Sequence, residues 1–532
     1  MKKAAMVLIT AIKEGWNTWI VVDCDCDGYT SSAVLINYLH ELFPAFVENN
    51  LQYFLHEDKT HGLSDFVKFI KDDTKLIILP DSSSNDYEYH KQLKEKGVNI
   101  IVLDHHEADH VSEDAIIINN QLSDYPNKQM SGVGVVWQFC RYLDSLLKTD
   151  KANNFLDLVA LGMTGDMMDL RSIETKHLIN KGFEEANIKN PFIYAMAQKN
   201  SFSLGNKITP MGAAFYIVPY VNSMVRSGTL DEMRLLFDSM LTYKAFKTIP
   251  SNKRGHMIGE MEQVVEQAVR TASNVKNRQT RAQEKGIEAL ENQIKENNLL
   301  DHKVLLFLLT SGEIDSNING LIANKFMAKY QRPVCVLTKV GNVYRGSARG
   351  YDKSGIESFR QSCLDTGLVN FAEGHANAFG LEINAENLAA FIAATDAAFA
   401  NIDSEPLYRV DYIYKGVDVS RENILDVASL NDLWGQGIEE CLICIEGLNV
   451  SSEMINLMGL EKGKPTLKIT LPNKVALIKF GSSEEEYHKL QSEGYMSLNI
   501  VGKCQANEWN GWVTPQVLIE DYEIVGSSKY NF

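Results

Sequence analysis

Acids and imidazoles collect at the ends of apolar runs in the first third of the chain. Thr18 to Val22 (TWIVV) leads into Asp23, Asp25 and Asp27, with Gly28 next. Lys75 to Pro80 (KLIILP) leads into Asp81, and Asn99 to Leu103 (NIIVL) into Asp104, His105 and His106. A fourth run, Ala115 to Ile118, ends at Asn119 and Asn120. Carboxylates brought together repel unless cations lie among them. A mixed Asp and His set suits Mn²⁺ or Mg²⁺ better than zinc. Two such ions about 3.5–4 Å apart clamp the attacking and leaving oxygens of a phosphoryl displacement. A lone Asp in such a place is more often the cap of the next helix, and a lone Asp-His-His a solvated turn. Three aligned run ends carry the metal reading further than any one of them.

These residues need elements that bring them together. Continuous apolar runs read as strands buried on both faces, hence a parallel sheet between helices. The intervening segments fit helices: Ser31 to Phe43 carries Val34, Leu35, Tyr38, Leu39 and Leu42 on one face, and Asp86 to Lys96 stops at Gly97. In an open α/β sheet, ligands bind beyond the carboxyl ends of the strands.

Composition bounds the remainder. A chain of 532 residues is too long for one ordinary domain. Its apolar (45%) and charged (23%) fractions are those of a globular protein. No stretch approaches the roughly 20 apolar residues of a membrane span, so no membrane association is expected. Glu14 interrupts the apolar N-terminal run, which reads as a helix of the mature protein rather than a leader. Eight cysteines lie scattered; Cys441 and Cys444 form a C-x-x-C without a second pair at zinc-site spacing. A reducing cytoplasm is the expected home. The net charge of −17 argues against an extended polyanion-binding face but leaves room for a short, locally positive channel.

Asp23 to Gly28, Asp81, Asp104 to His106 and DLVALGMTGD (Asp157 to Asp166) resemble, in order, the four motifs of the DHH phosphoesterase superfamily, and within it the RecJ-like single-strand DNA exonucleases. SGVGVVW (Ser131 to Trp137) is similar to the segment opening the helix between motifs three and four. INGLIANKFMAKYQRPVCVLT (Ile318 to Thr338), YRGSARG (Tyr344 to Gly350) and EGHANAFG (Glu373 to Gly380) resemble the DHH-associated domain, with Glu373 replacing the usual first glycine. The second motif also departs, reading Pro-Asp-Ser-Ser-Ser. LWGQGIEE (Leu433 to Glu440) and QVLIEDYEI (Gln516 to Ile524) resemble the family's oligonucleotide-binding region.

The resemblance implies a parallel-sheet DHH domain (1–255), a connecting helix (256–300), a smaller α/β DHH-associated domain (301–404) and a C-terminal β-barrel of oligonucleotide-binding type (405–532). It implies Asp25, Asp27, Asp81, His105 and Asp166 as ligands of two divalent ions, Mn²⁺ or Mg²⁺, with Asp81 bridging and Asp23 as an additional acid. Asp104 and His106 would support catalysis, His106 by touching phosphate or polarising the attacking water, and His375 would hold substrate near the ions. Arg349, Ser347, Gly374, Asn222 and Arg226 would bind substrate phosphates. Asp104 is also the expected partner fixing the second nitrogen of His105.

From His256 to Leu300 a long helix is expected, with Val264, Val265, Ala268, Val269 and Ala272 as its apolar stripe and Lys276, Arg278 and Arg281 available to phosphates. Short alternating runs at Leu467 to Leu471, Val475 to Phe480, Met496 to Val501 and Val517 to Ile524 suit a small barrel. Asn510-Gly511 suits a hairpin turn, and Tyr495, Trp509 and Trp512 offer faces for stacking bases. Glu484 to Glu486 reads as a solvated loop. The expected function is a metal-dependent exonuclease on single-stranded DNA, 5′→3′ by resemblance, acting in repair or recombination beside a single-strand-binding protein or a helicase. The alternatives are a phosphodiesterase of short oligonucleotides or cyclic dinucleotides, and a non-catalytic DNA-binding scaffold.

Overall fold

The computed structural model describes all residues except 58–59, 206, 352–353, 401–407, 510 and 529–532. The expected boundary near residue 405 and Asn510 of the expected turn therefore lie outside the described residues, as does the Trp509 side chain. The chain forms two compact units. The first comprises residues 1–53, 69–218 and 408–532, the second residues 54–68 and 219–407. Among the described residues no helix is long and apolar enough to cross a membrane.

The sheet that carries the acids has five strands: β1 (Asn17–Val22), β2 (Leu51–Leu55), β3 (Thr74–Pro80), β4 (Asn99–Asp104) and β5 (Ile116–Asn119), in the order β2-β1-β3-β4-β5. β1, β3, β4 and β5 run parallel, with Ile78 beside Ile101 and Leu103 beside Ile118. Their central residues Ile20 to Val22, Leu76 to Leu79 and Ile100 to Leu103 are buried, as strands covered on both faces must be. Sequence pattern marked four of these strands. β2 (LQYFL) was not marked; its residues are mostly half-buried.

The first helix after β1 spans Cys26–Leu42, starting five residues before the expected Ser31. Asp25 caps it, accepting Gly28 N–H on Oδ1 at 2.9 Å, so Asp27 falls inside the first turn. The fourth-motif block forms the helix Leu156–Gly165, with Asp157 buried in its first turn and Asp166 at its C-cap.

In the second unit, a hairpin of β6 (Thr248–Pro250) and β7 (Met261–Gln263) precedes a helix over Val264–Glu296. Residues 256–263 thus belong to the hairpin. Val264, Val265, Ala268 and Ala272 are buried along the helix, and Val269 is half-buried. A second sheet has β8 (Leu305–Leu309), β9 (Val334–Val340), β10 (Val343–Arg349), β11 (Val369–His375) and β12 (Ala378–Asn384) in the order β11-β12-β10-β9-β8.

The C-terminal region of the first unit is one seven-stranded sheet. Its strands are β13 (Tyr412–Lys415), β14 (Leu442–Ser451), β15 (Ile455–Met458), β16 (Thr466–Thr470), β17 (Ala476–Phe480), β18 (Tyr495–Trp509) and β19 (Trp512–Ser528), in the order β13-β14-β18-β19-β17-β16-β15. Ile443, Ile445, Leu467, Leu477, Leu498, Ile500 and Val517 lie in its core. Glu484 to Glu486 is not a loop but the first turn of the helix Glu484–Glu493, capped by Ser483. Glu486 there pairs with Lys479 at 2.9 Å and accepts Tyr522 O–H at 2.8 Å. Acids in a first turn complement the helix dipole.

Candidate metal centre

The carboxyl ends of β1, β3 and β4 and the C-cap of helix Leu156–Gly165 converge. Asp81 leaves β3 with φ +67°, which a non-glycine residue holds only under constraint. The constraint is visible: its N–H donates to Leu103 O at 2.7 Å on the next strand. The Asp81 side chain is turned into the protein beside helix Gly132–Leu147. A Cβ on Gly132 would stand 2.3 Å from Asp81 Oδ1, so only glycine fits there.

Asp27 is held from the same helix end. Its Oδ1 accepts Ser131 O–H at 3.0 Å and Val133 N–H at 3.2 Å. Gly162 makes room for it, since a Cβ there would lie 2.7 Å from Asp27 Oδ1. With Oδ1 engaged, Oδ2 is the free atom, 4.0 Å from His105 Nε2. That imidazole nitrogen also lies 3.2 Å from Asp81 Oδ1 and 3.3 Å from Asp166 Oδ2. Donor atoms fall into overlapping sets within 4.8 Å of one another: Asp27, His105 and Asp166; Asp23, Asp25 and Asp81; and Asp81, His105 and His106. Asp81 is common to the last two.

The electrostatics point the same way. Asp27 Oδ2, Asp81 Oδ1 and Asp166 Oδ2 are buried without a hydrogen bond. Burial first, then mutual repulsion, drives their proton affinities up: Asp27 to about 7, Asp166 to about 8, and Asp81 well above the carboxylate range. Burial also depresses His105 to about 4, keeping its imidazole neutral and ligand-competent. Orphaned acceptor oxygens around a neutral imidazole, at the negative end of a helix, make an arrangement that could hold cations. An oxygen-rich set with imidazole fits Mg²⁺ or Mn²⁺.

Asp104 does not serve His105 as expected. Its Oδ1 lies 2.7 Å from His106 Nδ1 and accepts the N–H groups of His105 and His106 at 2.7 and 3.2 Å, while Oδ2 accepts Ser84 N–H at 3.0 Å. The orientation follows from the chain: consecutive side chains leave a strand end in different directions, and only His106 turns back towards Asp104. Burial opposes the shift, yet the hydrogen bond and charge of Asp104 lift His106 to about 9. Asn119 at the end of β5 completes the arrangement, donating to Ser84 Oγ at 2.9 Å and His106 O at 2.8 Å. It lay at a marked strand end, but no residue pattern tied it to the site. Asp157, the first acid of the fourth block, accepts Lys189 and Asn190 N–H at 2.8 and 2.6 Å and anchors the helix.

The expected phosphate residues, Asn222, Arg226, Ser347, Arg349, Gly374 and His375, all lie in the second unit. Arg349 Nη1 donates to Ala348 O at 2.7 Å, and a Cβ on Gly320 would stand 2.5 Å from Nη2, so the opening of helix Asn319–Tyr330 is hollowed for it. Burial and nearby Arg226 lower the Arg349 pKa; burial, Lys325 and Arg226 lower that of Lys276. Cations that repel one another in this way attract an anion. Lys325 belongs to this group and was missed, because helical spacing alone marks it as surface. Arg278 is committed elsewhere, to Glu232 at 3.0 Å and Ser227 O at 2.7 Å. Gly374 has φ +130°, and Glu373 and His375 are exposed on β11. Trp512 is 80% exposed and Tyr495 39%.

The model of the DHH family, N-terminal domain, matches residues 17–163, and that of the RecJ OB domain residues 410–521. The chain is 35% identical to the putative SPbeta prophage-derived single-strand DNA-specific exonuclease YorK of Bacillus subtilis (strain 168), over 99% of this chain and 91% of that one. It is 25% identical to the single-stranded-DNA-specific exonuclease RecJ of the same organism, over 98% of this chain and 63% of that one. The fold is similar to the crystal structure of RecJ in complex with Mn²⁺ from Thermus thermophilus, with a TM-score of 0.73 at 19% identity, covering 98% of this chain and 71% of that one.

Proposed function

The chain belongs to the RecJ-like branch of the DHH family, and from that premise we propose that it is a single-strand-specific DNA exonuclease hydrolysing phosphodiester bonds with two divalent cations. The observation that carries this reading is the trio of buried, unbonded oxygens on Asp27, Asp81 and Asp166 around His105 Nε2. Asp27, His105 and Asp166 would hold one cation and Asp23 and Asp25 the other, with Asp81 shared. Bound Mn²⁺ or Mg²⁺ would supply Lewis acidity and a water of lowered pKa.

The chain's own residues do the remainder. Asp104 accepts a hydrogen bond from His106 Nδ1–H, leaving Nε2–H to donate to an anionic phosphate oxygen. Ser131 and Val133 orient Asp27, and Gly132 admits Asp81. Arg226, Arg349, Lys276 and Lys325 bind backbone phosphates, with Ser347, Asn222, Gly374 and His375 as their partners in that task. Progress from the 5′ end, and work beside a single-strand-binding protein or helicase in cytoplasmic repair or recombination, complete the reading. Incubation of 5′- and 3′-labelled single strands with Mn²⁺ tests it. Release of labelled mononucleotide from the 5′ end at once, and from the 3′ end late, is expected. Activity surviving in Asp81→Ala would remove the metal assignment.

A further inference from the structure

The β6–β7 hairpin displays apolar side chains where a simple connection needs none. Between the strands, residues 251–260 make two consecutive tight turns. His256 N–H closes the first on Lys253 O at 3.1 Å, and Glu260 N–H closes the second on Met257 O at 3.0 Å. Gly255 (φ +79°) and Gly259 (φ +83°) take the position in each turn that needs positive φ. Arg254 and Ile258 therefore stand at the two corners. Ile258 is fully exposed (106%) and Met257 76% exposed. Lys253, Arg254 and His256 are exposed beside them, and no acid occurs from Asn252 to Gly259, within a chain of net charge −17.

The base of this display is firmly built. Glu262 is buried and receives Arg270, Gln267 Nε2 at 2.6 Å, Asn252 N–H at 3.3 Å and Lys253 Nζ at 3.4 Å. Gln267 also donates to Pro250 O at 3.0 Å, and Met257 N–H to Glu260 Oε2 at 3.0 Å. The tip is thus presented on a fixed frame, so little conformational entropy is lost when it meets a ligand. Unbranched and branched aliphatic side chains flanked by cations are the chemistry of a wedge against nucleic-acid bases.

We propose that this hairpin is a nucleic-acid contact in which Met257 and Ile258 press on the faces of unstacked bases while Arg254 meets an adjoining phosphate. The inference rests on the single-strand reading above and names a further part of its substrate surface. Binding of the full-length protein to a fluorescent single strand, in EDTA so that no cleavage occurs, tests it beside an abasic strand of the same length. Met257→Ser/Ile258→Ser should bind the normal strand about fivefold to tenfold more weakly and the abasic strand unchanged, with the melting temperature of the parent. Arg254→Ala should weaken both strands alike and lower the salt slope by about one. Unchanged affinity of the double variant for the normal strand, or an equal loss on the abasic one, overturns the proposal; the first outcome leaves the tip as a surface for protein. A parent chain that binds neither strand overturns the exonuclease reading itself, which separates the two failures.

Discussion

His106 Nδ1 lies 2.7 Å from Asp104 Oδ1, while the preceding His105 points Nε2 at Asp81 and Asp166. Two adjacent imidazoles thereby take opposite states, one cationic and one neutral. Removing the carboxylate charge in Asp104→Asn should bring His106 from about 9 toward the ordinary value near 6.5. Activity of the variant should then fall away at lower pH than in the parent, as read from a pH–rate profile and from imidazole NMR. An unshifted alkaline limb would detach His106 from the reaction. For stability, a raised histidine contributes below about pH 6.5 and loses its contribution as pH passes about 9, so this pair weakens on the alkaline side.

The acid cluster makes an opposite-signed demand on cations. Asp27 and Asp166, raised to about 7 and 8, favour the metal-free fold when protonated, below about pH 4, and lose that contribution as pH rises through those values. The melting temperature of EDTA-treated protein should therefore fall as pH rises from about 4 to about 8 and level off above that. The increment on adding Mn²⁺ or Mg²⁺ should grow over the same window, because cations then no longer compete with protons. An increment that is flat or shrinks with pH would contradict the assignment.

Gly132→Ala is a one-carbon test of the centre. The new Cβ would meet Asp81 Oδ1 at 2.3 Å, and overpacking costs about 1–3 kcal/mol in stability. Displacing Asp81 should lower kcat by about 100-fold. Single-turnover rates at saturating Mn²⁺, with calorimetric metal affinity, check it. Parent-like values for both would show that Asp81 is not tightly constrained by the helix.

Arg349 and Arg278 should behave differently although both are arginines of the second unit. Arg349→Ala should weaken single-strand binding and reduce the salt slope by about one. Arg278 spends its donors on Glu232 and Ser227 O, so Arg278→Ala should leave the slope unchanged. Its exposed ion pair contributes about 0–1 kcal/mol, readable as a small change in melting temperature.

Strand-end acids were legible in the residues because buried parallel strands are continuous apolar runs and a carboxylate at their end is conspicuous. Asp23, Asp25, Asp27, Asp81, His105 and Asp166 could be named from that pattern and the four motifs. The long helix was legible from its stripe, but its start at Val264 was not, because the hairpin before it is polar and short. Asn119 was marked only as a strand end and Lys325 not at all, since a lone amide or lysine has no periodicity that distinguishes a site from a surface. The partner of Asp104 was misassigned for a related reason: adjacency along the chain does not say which of two neighbouring rings turns back.

Taken alone, the residues determined the chemistry available and the elements that carry it, because hydrophobic period and residue type are local properties. Tertiary structure decided which oxygen of each carboxylate is free. Ser131 and Val133 occupy Asp27 Oδ1 from more than a hundred residues away, and Gly132 admits Asp81, so the unbonded atoms face one another. That selection depends on long-range packing and on the directionality of hydrogen bonds, and neither is written in any single segment.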